Sequence, residues 1–161
     1  MGIFKVKINK DIESKIKDLN AKAFIAVPHT SGLPIGENTL CQLYYSDDKI
    51  VIDASGTTFN LMIEKIKSME IKTDVEIHSQ YVSSSGGAIA GAMVFGAIGA
   101  LIGGRSKEKK SREIKQYLII MYADNDVEVK YLGFDITYTP KAKDFTLLFN
   151  KNLKQETIIE L

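Results

Sequence analysis

The sequence predicts an α+β domain that is mainly β, with about seven strands in meander order, a C-terminal helix and a glycine-rich insert between the fifth and sixth strands. Three observations lead there. Apolar residues recur at spacing two in short runs separated by turn residues. Residues 139–153 change to spacing three and four behind a Thr-Pro pair. The stretch 86–104 carries seven glycines and no charge, a composition that disfavours ordinary helix and strand alike.

In chain order, Phe4, Val6 and Ile8 alternate with Lys5 and Lys7, so residues 3–8 read as a short strand. Asn9 then caps a helix with Ile12, Ile16 and Leu19 on one face. Residues 22–29 read as a mostly buried strand, closed by a loop at Gly32, Pro34 and Gly36. Residues 39–45, Lys49 to Ala54 and Thr57 to Met62 follow as strands, with turns at Asp47-Asp48 and Ser55-Gly56. Met69, Ile71, Thr73, Val75 and Ile77 keep spacing two and predict one long strand over 66–77. Met62, Ile63, Ile66 and Met69 also fit a short helix over 62–69. Residues 114–122 and Val127 to Ile136 are the last two strands, joined at Asp124-Asn125-Asp126. Thr139 supplies a hydroxyl N-cap and Pro140 the first helical position. Ala142, Phe145, Leu148, Phe149 and Leu153 then form one apolar face. Short connections favour antiparallel neighbours, so a small sandwich or partly open barrel plugged by the last helix meets the count.

With 161 residues, 45% of them apolar and 25% charged, the expectation is one soluble globular domain over 1–161. It comprises an N-terminal strand and helix over 1–21, a core over 22–153, and an insert over 82–112 within that core. The net charge of +1 gives no global field for nucleic acid, and no specific nucleic acid is expected as a partner. The balance hides a basic run: Arg105, Lys107, Lys109, Lys110 and Arg112, set against Glu108, leave −3 on the rest of the chain. Cys41 is the single cysteine, which excludes an internal disulfide and a four-cysteine zinc site. The N-terminus has no continuous apolar core, and Val6 stands where a myristoylation pattern needs Ser or Thr. A cytoplasmic location is the expectation, with membrane association in one reading of the insert.

The insert is patterned. Ala88, Ala92, Gly96, Ala100 and Gly104 stand four apart. Gly87, Gly91, Gly99 and Gly103 form the adjacent row, interrupted by Phe95. On a helix these rows make a smooth strip that lets a second backbone approach closely. Ile89, Met93, Ile98, Leu101 and Ile102 fall mostly on other faces. Three readings follow. Nineteen uncharged residues match a hydrocarbon core of about 30 Å, and the basic run would meet an anionic surface. A single crossing would split one sheet across the bilayer, so only a re-entrant hairpin serves. Alternatively, a helix or helical hairpin packs on its own domain or on a copy of itself. The third reading is a mobile loop, which the Ile, Met and Phe content weakens.

No catalytic, cofactor or metal constellation is expected. His29 and His78 have no metal spacing. Cys41 lies mid-strand among apolar neighbours, as a buried inert thiol does. Gly99, Gly103, Gly104, Arg105 and Ser106 lack the Gly-Lys-Ser/Thr ending of a phosphate loop. Asp47, Asp48, Asp53, Asp124 and Asp126 are turn and strand-edge residues, and the tyrosines are spread over strands.

The order of elements over roughly residues 22–153 is similar to the pleckstrin-homology-like fold, a bent antiparallel sheet or barrel with a C-terminal helix. The run from Ser83 to Arg105, a following strand such as Tyr117-Leu-Ile-Ile, and Val27-Pro-His-Thr-Ser-Gly-Leu-Pro resemble a group of small proteins of Gram-positive bacteria and their mobile elements. These pair a pleckstrin-homology-like domain with a glycine-zipper insert. The group often has proline where Ala97 stands here. The resemblance brings no activity with it. The resulting expectation is a non-enzymatic interaction module that uses residues 82–112 for self-association or protein binding. The alternatives are peripheral binding to anionic lipid through the same insert, and a mobile-element protein that inhibits a host enzyme or defence system.

Overall fold

In the computed structural model, residues 10–83, 98, 99, 101, 102, 113–124 and 128–156 are described. The proposed strand at 3–8, the Asn9 cap, and Asn125 and Asp126 of the predicted turn lie outside these residues, whereas Asp124 ends the strand Gln116–Asp124. Helix α1 spans Lys10–Leu19 and is followed by β1 (Ala23–Ser31), β2 (Leu40–Tyr45), β3 (Lys49–Ala54), β4 (Thr57–Met62) and β5 (Ile66–Thr73). Then come α2 (Asp74–Ser83), β6 (Gln116–Asp124), β7 (Glu128–Asp135) and α3 (Lys143–Glu156). The seven strands form one antiparallel sheet in the order β4-β3-β2-β1-β7-β6-β5.

The sheet bends at β1, which serves both halves. Ala23 to Pro28 pair with β2, whereas His29 and Ser31 pair with β7 across a register shift. His29 N donates to Thr39 O at 2.8 Å, so alternation turns the Pro28 nitrogen away from β2. Its missing N–H therefore falls where the β7 ladder has not yet begun, and proline is tolerated inside the strand. Gly32 leaves β1 at φ +111°, and a Cβ there would stand 2.2 Å from Tyr131 O. Only glycine suits both that backbone and that approach.

Alternation sorts the side chains of the strands onto two faces of the sheet. Cys41, Leu43 and Tyr45 of β2, Ile50 and Ile52 of β3, and Leu118 and Ile120 of β6 point into the main core. Leu132 and Phe134 of β7 join them, with Ala142, Phe145 and Phe149 capping that core. Phe145 meets the Tyr45 ring edge-on, with centroids 5.4 Å apart. Burial of each such aromatic stabilises the fold by about 1.5–3 kcal/mol. On the outer face of the first half, Ile12 of α1 packs with Tyr44 and Val51, and Lys15 pairs with Asp53 above the Tyr44 ring. That partly exposed ion pair adds at most about 1 kcal/mol.

The structure corrects three boundaries. The strand predicted over 66–77 ends at Thr73, and Asp74–Ser83 is helical. Thr73 N donates to Glu76 Oε1 at 3.0 Å, and Glu76 N donates to Thr73 Oγ1 at 3.1 Å. This reciprocal cap satisfies two amides that open the helix, and it outweighs the spacing-two pattern. Residues 63–65 form only a 3-10 turn, so the helix over 62–69 is absent. Thr139 makes no side-chain cap: its carbonyl accepts the Ala142 amide at 3.1 Å, closing a 3-10 turn over Pro140–Ala142 that leads into α3. Pro140 does occupy the first turn.

Candidate interaction surface at the seat of the insert

The run Tyr117-Leu-Ile-Ile is apolar on both faces of β6. Leu118 and Ile120 face the main core, leaving Tyr117 and Ile119 on the outer side with Tyr131 of β7. Two elements cover them. The Thr73–Glu76 cap turns α2 so that Ile77 is fully buried there. The insert contributes Ile98 and Ile102, both helical and buried, with Leu101 packed beside them. Spacing four brings Ile98 and Ile102 onto one helical face.

The socket for Ile98 is Gly133. It sits in β7 opposite Ile119 of β6 and Ser31 of β1. A Cβ on Gly133 would lie 2.4 Å from Ile98 Cδ1 and 3.0 Å from Cγ1. The missing side chain is thus the space that the isoleucine occupies, and Ile98 is 0% exposed. Signals for this seat were present in the sequence: an isolated glycine within a strand, and a strand apolar on both sides. Neither Gly133 nor Ile77, Tyr117, Ile119 and Tyr131 was singled out by spacing arguments centred on the insert alone.

Of the small-residue rows, Gly99 is placed; it is helical and buried beside Ile98. Gly87, Ala88, Gly91, Ala92, Phe95, Gly96, Ala100, Gly103 and Gly104 lie outside the described residues. So do Arg105, Lys107, Lys109, Lys110 and Arg112. Among the described residues, no helix is long and apolar enough to cross a membrane.

The remaining polar groups are engaged in structure. His29 is buried, with Nδ1 3.1 Å from Gly36 O, and Nε2 accepts the Leu33 amide at 3.1 Å. With Nδ1–H as donor, both ring nitrogens hold the 32–39 loop, and no lone pair remains for proton abstraction. Cys41 is fully buried and donates to Thr39 O at 3.5 Å, and burial pushes its thiol up to about 11. A thiol so protonated is a poor nucleophile. Among the described residues no group of three His, Cys, Asp or Glu side chains is arranged to hold a metal. A groove of about 400 Å³ beside the β3–β4 turn is lined by Leu40, Gln42, Asp53, Ala54 and the 55–58 segment. It carries no lysine or arginine, and Asp53 there already bonds Lys15 and Thr58.

Comparison with known proteins adds one finding. Residues 35–135 match the family described as glycine zipper containing PH domain. The match begins in the β1–β2 loop and ends with β7, so it takes in β2 to β7 and the whole insert. No curated protein matches the sequence. Domains of the PH class are protein- or lipid-interaction modules and are generally non-enzymatic. The bent seven-stranded sheet, the C-terminal helix and the seated glycine-rich insert agree with that match, and the chain belongs to the glycine-zipper-containing PH domain family.

Proposed function

We propose that the chain is a non-enzymatic interaction module whose sheet holds the insert by one end, while the small-residue rows of the insert make the contact with a partner, most simply a second copy. The observation that supports this reading is the burial of Ile98 and Ile102 on the domain's own sheet. Were the helix to continue at about 100° per residue, Gly96, Ala100 and Gly103 would fall roughly 140–200° from Ile98. Ile98 and Ile102 are used inward, and a helical insert would offer the row of Gly96 and Ala100 for close backbone approach. The test is solution mass at several concentrations. Deleting 86–104 would also bare Tyr117, Ile119 and Tyr131, so Ala100→Leu is the cleaner variant. It should lower the mass reached at each concentration by the part made through the insert and leave the denaturation midpoint unchanged. A full chain that stays monomeric throughout would remove the self-association reading.

A second reading has its own support: the run Arg105–Arg112 begins three residues after the seated Ile102, so five cations follow directly on an anchored point. Such a cluster is attracted to an anionic surface within a Debye length. Flotation with phosphatidylserine vesicles at low salt tests it, and absence of binding would eliminate it.

A further inference from the structure

The sheet has two edges, and they differ. β5 carries Lys67, Glu70 and Lys72, is bulged between Ile66 and Ser68, and lies against α3. Charges, a bulge and a cover are the devices that keep an edge from pairing. β4, Thr-Thr-Phe-Asn-Leu-Met, has no charge, no proline and no bulge. Among the described residues no strand lies outside it.

We propose that β4 is a self-complementary edge on which two copies of the chain pair antiparallel about a two-fold axis at Asn60. The hydrogen-bond phase of the strand carries the argument. Ile63 N donates to Asp48 O at 2.9 Å, directly opposite in the register that continues as Lys49↔Met62 and Ile50↔Leu61. Alternation then gives Leu61, Phe59 and Thr57 to β3, and turns the N–H and C=O of Thr58, Asn60 and Met62 outward. One self-pairing register uses all three: Thr58 opposite the partner's Met62, Asn60 opposite the partner's Asn60, and Met62 opposite the partner's Thr58. Three such pairs at two bonds each make six backbone hydrogen bonds. The same register sets Phe59, half-buried at the margin of the core, opposite the partner's Leu61 in the closer, non-bonded type of pair. No like charges meet anywhere along the strand. The contact is small, so association is concentration-dependent. It involves no residue of the insert and stands or falls separately from the reading above.

The experiment is disulfide trapping in the full chain. Antiparallel bonded pairs hold Cα atoms about 5.5 Å apart, within disulfide range. Thr57 lies three residues from the axis, about 20 Å from its symmetry mate. Cys41 is fully buried and contributes no background. Under mild oxidation Asn60→Cys should double in mass on a non-reducing gel, and Thr57→Cys should not. In the Ala100→Leu background Asn60→Lys, which sets two ammonium groups face to face, should halve the mass of any concentrated dimer. Ala100→Leu should leave the trapping at position 60 intact. No dimer at 60, or equal dimer at 57 and 60, would overturn the proposal. Trapping that occurs only after removal of residues 1–9 would also overturn it, because the edge then belongs to the chain's own N-terminal segment.

Discussion

Replacing Gly133 by alanine tests the seat of the insert, because two effects oppose each other there. Gly133 has no positive φ, so alanine suits its backbone. Removing glycine from a strand would by itself stabilise by roughly 0.5–1 kcal/mol. The added Cβ, however, would sit 2.4 Å from Ile98 Cδ1 and 3.0 Å from Cγ1, and Ile98 is fully buried in one cluster with Ile77, Tyr117 and Ile119. Overpacking of that kind costs about 1–3 kcal/mol. The packing term wins, and Gly133→Ala should destabilise by about 1–2 kcal/mol in urea denaturation. Ile98→Val removes the offending Cδ1 at a cost of its own of about 0.5–1.5 kcal/mol. The double variant should therefore be more stable than the sum predicts, by about 1 kcal/mol of favourable coupling. Hydrogen exchange locates the effect: protection of the 98–102 amides should fall in Gly133→Ala and recover in the double variant. An alanine variant as stable as the parent with unchanged protection, or strictly additive energies, would refute the seat.

Other outcomes follow from the same structure. Thr73→Ala should cost about 1 kcal/mol and lower exchange protection in the first turn of α2. The hydrogen bond from the Thr73 amide holds the Glu76 carboxyl below the usual range, so its contribution is present above the ordinary carboxylate pKa and fades as pH falls through the lowered value. Thr73 amide exchange followed against pH reads this. Cys41 works in the other sense, since burial raises its pKa from 9.0 to about 11. Its stabilising effect is complete below pH 9 and is lost as pH rises towards 11, so the parent's urea midpoint should fall more steeply over that range than that of Cys41→Ala. His29→Ala should cost about 1–3 kcal/mol and loosen residues 32–39 in hydrogen exchange. Phe145→Ala, at a fully buried position, should cost about 3–5 kcal/mol by urea denaturation.

The strands were legible because their apolar residues repeat at the pleat period between clear turns, as at Asp47-Asp48 and Ser55-Gly56. α2 was not, because Thr73, Val75 and Ile77 satisfy strand spacing as well as a capped helix does. The decision rests on one pair of reciprocal bonds between Thr73 and Glu76. The Thr73-x-x-Glu76 spacing was there to be read, but periodicity outvoted it. The hydroxyl of Thr139 failed for a related reason, since a 3-10 turn gave its backbone carbonyl the amide that a side-chain cap would have taken. The seat of the insert required two distant signals to be combined. A both-sided apolar β6 needs a cover, and Gly133 marks where that cover comes closest. Local spacing reports neither, because the partners are separated by tens of residues.

The bend at β1 has a bearing on how the chain is made. α1 and β1 to β4 follow one another along the chain with no connection longer than the 32–39 loop, so their ladders can close once residue 62 has left the ribosome. Their inner face, with Cys41, Leu43, Ile50 and Ile52, then waits for β6, β7 and α3 to cover it. The His29–Phe134 pairing that joins the two halves spans about a hundred residues. The insert also precedes its own seat: Ile98 and Ile102 leave the ribosome before Tyr117, Ile119 and Gly133 do. For that interval the nascent chain carries two unmatched apolar surfaces, which is the condition under which chaperones and premature association compete with folding.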